Sequence, residues 1–365
     1  MKRMKLLALP LAVALLFGLT ACKPAVSEPS NAPSEAVSDS VPPTQEPSAE
    51  PSQEPSAEPS QTADSSGSIR FAVLSGPTGV GAAKLLDHID NNDTNLSCGN
   101  YTYTIANDNS ELVAGLTNGD IDIATVASNV AVNLYNKTDG GVKIIAVGTL
   151  GVLHILESGG NTNINSMADL AGKTIYAAGQ GANPEYVLRY LLRENGLDDA
   201  EVVFADASEI SAKLISGEIE CAMLPVPAAT AAIMKSEGKV RQAIDLTEAW
   251  DGLRNGSQLI MTAVVARTDY IEAHPELVGG FLNDYKDSIN FVNNNVDEAA
   301  EIIAAHGITP SAGIAKQAIP QCHLAYIDGA DMVASISDYY EVLYGIDPAA
   351  VGGALPDDAI YWWVE

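Results

Sequence analysis

The chain has 365 residues, with 19 Lys and Arg against 47 Asp and Glu, a formal net charge of −28. A field of that sign and size repels phosphate backbones and anionic lipid heads, which excludes nucleic acid as a partner. The 297 residues from 69 to 365 suffice for one large domain or two lobes with cores of their own.

The first 21 residues read as a secretory signal: Lys2, Arg3 and Lys5 precede an apolar run from Leu6 to Leu19 that is too short to span a bilayer. Leu19-Thr20-Ala21-Cys22 resembles the lipobox of bacterial lipoproteins, which implies acylation at Cys22 and a chain held at the outer face of the cytoplasmic membrane. Residues 22–68 follow as a Pro/Ser/Glu tether, in which EPSAEPSQ at 46–53 recurs at 54–61. This composition cannot bury a core, so disorder is expected there. The signal contributes +3 and the tether −7, leaving −24 for the folded part.

From 69 onward strands and helices alternate. IRFAVL (69–74) reads as a buried strand, SGPTGVG (75–81) as a turn and AAKLLDHI (82–89) as a helix. A strand at 102–106, a glycine-closed helix at 110–119 and a strand at 121–127 come next; Asn129 opens a helix, and 143–150 is a further strand. The pattern restarts with a short helix and strand over 167–179, then a helix at 184–196 with Pro in its first turn and Gly at its end. A strand at 201–205, a helix at 208–219, a strand running into a loop at 220–227, another helix and a strand at 257–267 follow, with mainly helix to about 345. Residues 111–128 and 209–226 echo each other as helix, Gly, acidic residue, strand, loop. Alternation of this kind predicts an α/β fold with mainly parallel sheets flanked by helices, and ligands lie at the carboxyl ends of such strands.

Beyond Cys22 there are three cysteines, at 98, 221 and 322, and no C-x-x-C. One disulfide with a thiol left over and three buried free thiols both fit. The five histidines are scattered without metal spacing, and no Walker A, H-E-x-x-H or G-x-S-x-G motif is present. No metal and no cofactor are expected.

Several stretches resemble the solute-binding proteins of ABC importers, in the group named for sulfonate, nitrate, taurine and thiamine-precursor uptake. They include GPTGVGAAKL (76–85), ASNVAVNLYN (127–136), AVGTLGVLHI (146–155), LAGKTIYAAGQGANPEYVLRYLLRENGL (170–197), LPVPAATAA (224–232) and DLTEAW (245–250). The resemblance implies a two-lobed type 2 periplasmic-binding-protein fold, with lobe one at 69–153 plus 258–365 and lobe two at 154–257. It implies a protein without catalysis that captures a small solute between its lobes and delivers it to a permease and its ATPase; the acidic surface predicts a monomer. Where the family often has Leu-Pro-Glu-Pro, this chain has Leu224-Pro225-Val226-Pro227, so any role of that carboxylate is absent.

The stretch YAAGQGANPEYVLRYLL (176–192) is then the lobe-two wall. Gly179-Gln180-Gly181 followed by Pro184 is not a dinucleotide fingerprint, since the third glycine is missing. Its glycines admit a ligand, Gln180 and Asn183 add amides, and the following helix points N–H groups at the cleft. Facing it are Ser75, Gly76, Pro77 and Thr78, then Ser128 and Asn129, with Pro225 at a further strand end. A plain strand-to-helix turn, and helix capping at Ser128 or Asn129, are the structural alternatives. His154 reads as a packed residue, and Trp250 as a packed residue or a pocket wall. None of these loops contains Arg, which anion sites usually recruit, so a neutral or weakly polar organic solute is expected. The competing readings are an extracytoplasmic sensor lipoprotein and an enzyme of the thiamine-precursor or menaquinone-pathway type; the secretory signal disfavours the enzyme.

Overall fold

The computed structural model describes residues 67–97 and 100–364. The signal, Cys22, the tether up to residue 66 and Cys98 lie outside the described residues. The first half lays down β1 (Ile69–Leu74), α1 (Pro77–Asp90), β2 (Tyr101–Ala106), α2 (Asn109–Asn118), β3 (Ile123–Ala127), α3 (Ser128–Lys137) and β4 (Val142–Thr149). The chain then passes into β5 (Leu153–Glu157), β6 (Ile175–Ala177), α4 (Asn183–Glu194), β7 (Val202–Phe204), α5 (Ala207–Ser216), β8 (Cys221–Pro225), α6 (Ala228–Lys235), β9 (Arg241–Asp245) and α7 (Leu246–Gly252). It returns through β10 (Thr262–Arg267), α8 (Thr268–Ala273), α9 (Pro275–Asn294), α10 (Val296–Ala305), α11 (Ala312–Ala318), β11 (Leu324–Ile327) and α12 (Gly329–Ile346).

The strands form two sheets, ordered β11-β4-β10-β3-β1-β2 and β7-β6-β8-β5-β9. The expected parallel pattern holds where strands alternate with helices: β1 pairs parallel with β2 and β3, and β6 with β7 and β8. Strands that enter a sheet from the other one run antiparallel, as β5 does to β8 and β9 and β10 to β3 and β4. Both sheets are therefore mixed. The short β9 and β11 lie outside the pattern read from the sequence, and 257–261 is crossover chain before β10.

The echoed segments are two copies of one local design. Helices α2 and α5 both end at a left-handed glycine, Gly119 (φ 78°) and Gly217 (φ 77°), and a buried strand follows each. Only glycine takes that backbone without strain. Of the segment 75–81, expected as a turn, only Ser75 and Gly76 are one; 77–81 is the first part of α1. Its glycines serve packing: a Cβ on Gly79 would lie 2.8 Å from the Leu74 carbonyl, and Gly81 lies against Leu324 and Ile289.

The core of the first sheet centres on Phe71 against Phe281 (ring centroids 4.9 Å apart) and the stacked pair Phe281–Tyr285 (5.7 Å). Where the two sheets meet, Trp250 is fully buried between Tyr190 and Tyr339. Cys221 and Cys322 are both free and buried. Burial pushes each thiol up to about 12, so neither is a thiolate near neutrality. No helix among the described residues is long and apolar enough to cross a membrane.

Candidate functional site

A cleft of about 790 Å3 opens at the carboxyl ends of β1, β2, β6 and β7, where the two sheets face each other. One wall carries Leu74, Ser75 and the loop Asn107–Ser110; the other carries Gly179–Ala182 and Phe204–Asp206. Tyr176 lines it from β6, and Glu209 and Lys213 from α5. Its volume lies within the range of about 300–1,000 Å3 typical of small-molecule sites.

Three of the residues expected from the sequence, Ser75, Gln180 and Gly181, line this cleft. The others do not. Pro77 is the first residue of α1, directly after the buried Gly76. Thr78 turns its hydroxyl back on the Leu74 backbone, at 3.0 Å from both its N–H and its carbonyl. Pro225 ends β8 and pairs with Leu153.

Ser128, Asn129 and Asn183 meet each other in a buried clasp. The Asn183 backbone N–H donates to Asn129 Oδ1 at 3.0 Å. Its side-chain amide donates to Ser128 Oγ at 2.7 Å and to the carbonyls of Met261 at 2.7 Å and Ile260 at 3.3 Å. Ser128 Oγ donates in turn to the Ile260 carbonyl at 2.7 Å, and Tyr340 Oη donates to the Ser128 carbonyl at 2.8 Å. The clasp thus joins the start of α4 to the start of α3 and to the crossover before β10. The N–H that the helix start was expected to offer a ligand is engaged by Asn129. Replacing Asn183 with Ala would strip the buried Ser128 hydroxyl of its donor and the Met261 and Ile260 carbonyls of one of their two donors. We expect a loss of about 2–3 kcal/mol of stability by chemical denaturation, and an undiminished midpoint would show that the clasp is dispensable.

The lining residues that the sequence reading missed come from strand ends and from the strands and helix beside them. Asn107–Ser110 is a run of turn formers between β2 and α2, where Asp108 caps the helix by accepting from Ser110 N (2.7 Å) and Glu111 N (3.4 Å). The bond from the Ser110 hydroxyl, reinforced by the Ser110 backbone N–H, holds the Asp108 carboxyl below its usual range. Phe204 is the last residue of β7, and Asp206 stands before α5 without a side-chain capping bond. Lys213 pairs with Glu209 across one turn of α5 at 2.8 Å, and that bond raises the Lys213 pKa.

His154 is packed, not presented to the cleft. Burial pushes its pKa down, partly offset by Asp245, whose carboxylate lies 3.7 Å from Nδ1. Among the described residues no group of three His, Cys, Asp or Glu side chains could hold a metal ion.

The family model described as NMT1/THI5 like matches residues 102–299, a span that includes most of both cleft walls. The chain belongs to the NMT1/THI5-like family. No curated protein matches it. Its fold is shared with an ABC transporter from Parabacteroides distasonis (22% identity over 80% of this chain and 98% of that one, TM-score 0.68). It is also shared with the periplasmic aliphatic sulphonate binding protein SsuA from Escherichia coli (16% identity, 81% and 92% covered, TM-score 0.63). The alkanesulfonate-binding protein SsuA from Xanthomonas axonopodis pv. citri bound to MOPS is similar to the same degree (14% identity, 81% and 98% covered, TM-score 0.63). At these identities the likeness carries the NMT1/THI5-like member's fold: two helix-flanked sheets of the periplasmic-binding-protein type.

Proposed function

We propose that this chain is the extracytoplasmic solute-binding component of an ABC importer, lipid-anchored through Cys22, which captures a small organic solute and delivers it to a permease. The observation that carries this reading is the cleft itself. Its two walls come from different sheets and both consist of loops at strand carboxyl ends, where open α/β sheets bind ligands. Residues 69–153 with 258–365, and 154–257, are the two lobes of this reading. Ser75, Gln180 and Gly181 are its first contacts, and Asn107, Tyr176 and Phe204 join them. The clasp at Asn183, Asn129 and Ser128 supports the loops from behind. Capture requires no chemistry of the residues that line the cleft.

A thermal-shift series on the full-length chain tests this. A ligand that binds only the folded state adds about 2.7 kcal/mol at a hundred times its Kd, which a melting curve resolves. The panel spans alkyl sulfonates, nitrate, pyrimidines, nucleosides, aromatic acids and organic cations. A saturable shift from one class, with the compound recovered unchanged, is the expected result. Conversion of the compound to a product would replace capture with catalysis.

A further inference from the structure

The clasp does more than support loops. It ties together the two lobes of the capture reading, since Asn183 belongs to 154–257 and Ser128 and Asn129 to 69–153. All three residues are at most 1% exposed. Their bonding is uneven. The two hydrogens of Asn183 Nδ2 are spread over three acceptors, Ser128 Oγ and the carbonyls of Ile260 and Met261. The other half of the same amide, Oδ1, is buried and has no hydrogen-bond partner among the described residues. A buried acceptor left unpaired costs free energy that contact with water would return. The bonds that the clasp does make are exchangeable as well, because amide, hydroxyl and carbonyl groups find equivalent partners in water. The shut clasp is therefore closely balanced against an open one.

The neighbouring contact is of another kind. Tyr190 lies about two turns further along α4 than Asn183. Its ring packs on Trp250, and Trp250 packs on Tyr339 of α12. Aromatic surface has no substitute partner in water, so this joint stays shut where the clasp can part. One helix thus carries a separable polar contact at its start and a lasting apolar one further on. Asn183 also grips the chain that passes between the sheets. The Met261 carbonyl it binds accepts from Ser128 N, and Met261 N donates to the Thr149 carbonyl, each at 3.0 Å. Polar interfaces between parts of one chain allow those parts to move against each other.

We propose that Ser128, Asn129 and Asn183 form a latch on the cleft, a role that rests on the capture reading. Shut, as in this structure, the latch holds the two walls together. When it parts, α4 turns about the Trp250 joint and the cleft widens to admit a solute. Two measurements on the full-length chain, both without solute, test this. In amide exchange by NMR, the Asn183 N–H should exchange at least about a hundredfold faster than the amides of the central strand β10, as for a local opening. Low urea should leave its rate unchanged, because such an opening exposes little surface. Exchange of Asn183 only at the β10 rate, rising with urea as β10 does, would make the clasp a permanent staple and overturn the latch. For the second, spin labels on Ser110→Cys and Gln180→Cys, one on each wall, read the width of the cleft by pulsed electron resonance. Cys22 and Cys98 are replaced by Ser, and the buried Cys221 and Cys322 are kept. Asn129→Ala and Asn183→Ala should each shift the distances towards longer separations. Asn129→Asp keeps an acceptor for the Asn183 N–H, at a helix start that suits a carboxylate, and should hold the parent distance. Unchanged distances in both alanine variants, or equal opening in Asn129→Asp, would overturn the latch. The exchange measurement needs no variant and stands if an alanine variant fails to fold. A failed latch leaves capture standing, and a failure of capture shows only in the thermal-shift panel.

Discussion

Replacing Arg241 with Ala is expected to destabilise the protein by about 3–5 kcal/mol, the cost of stranding a buried carboxylate. Glu157 on β5 is completely buried, and its Oε2 lies 2.5 Å from Arg241 Nη2 on the neighbouring strand β9. The same guanidinium holds the loop that follows β5, through the carbonyls of Ile164 (2.5 Å) and Asn161 (3.0 Å). Glu157 grips that loop from the other side by accepting from Asn163 N at 3.0 Å. Two charges therefore organise one edge of the second sheet, and neither can leave alone without cost. Arg241→Lys should recover only part of the loss, since a lysine lacks the fork that reaches both carboxylate and carbonyls. Glu157→Gln added to Arg241→Ala should recover part as well, because the stranded charge is gone. Urea midpoints for the single and double variants form the cycle that checks this. A single-variant loss under about 1 kcal/mol would mean that backbone donors alone satisfy Glu157.

The fold was legible in the sequence where local rules agree with the final architecture. Two helices ended by glycine, each leading into an apolar strand, read directly as α2–β3 and α5–β8, because a left-handed C-cap and a buried strand are both local signals. The short β9 and β11 were not legible. Each is only a few residues long, and antiparallel pairing with a distant partner, as between Arg241 and Glu157, makes it a strand at all. Gly79 and Gly81 misled for a related reason. Glycine reads as a turn locally, whereas here it lets α1 approach β1 and α9, a tertiary demand with no local mark.

The candidate site was half legible by the same reasoning. Gln180 and Gly181 follow a strand, so the carboxyl-end rule found them. That rule found Asn183 too, but it cannot tell a residue facing a ligand from one facing the opposite wall. The direction of a side chain one position into a helix is set by packing against Met261, seventy-eight positions away. Asp206 and Phe204 obey the rule as well, at the end of a strand of only three residues. Their importance rests on which loops face each other, and that is a property of the two sheets together.

Trp250→Ala is the second large effect, with an expected cost of about 3–5 kcal/mol for truncating a fully buried aromatic. Read from sequence alone, Trp250 is either a pocket wall or a packed residue, and its surroundings decide for packing. Its ring lies 4.9 Å from that of Tyr190 on α4 and 5.6 Å from that of Tyr339 on α12, and its indole N–H donates to the Ser257 carbonyl at 3.2 Å. Helix α4 follows a strand of one sheet and α12 a strand of the other, so this stack is a joint between the two layers. Removing the indole opens a cavity there and leaves the Ser257 carbonyl without its donor. Trp250→Phe keeps a ring between the tyrosines and should lose clearly less than the alanine variant, the remainder measuring the bond to Ser257. Trp250 is also the one tryptophan of three that is wholly buried, since Trp362 is partly buried and Trp363 is 41% exposed. Its replacement by Phe should therefore remove the blue-most part of the intrinsic emission while the far-UV circular dichroism stays put. A Phe variant as unstable as the Ala variant would place the energy of the joint in the indole bond, and an Ala variant as stable as the parent would show that α4 and α12 are held together elsewhere.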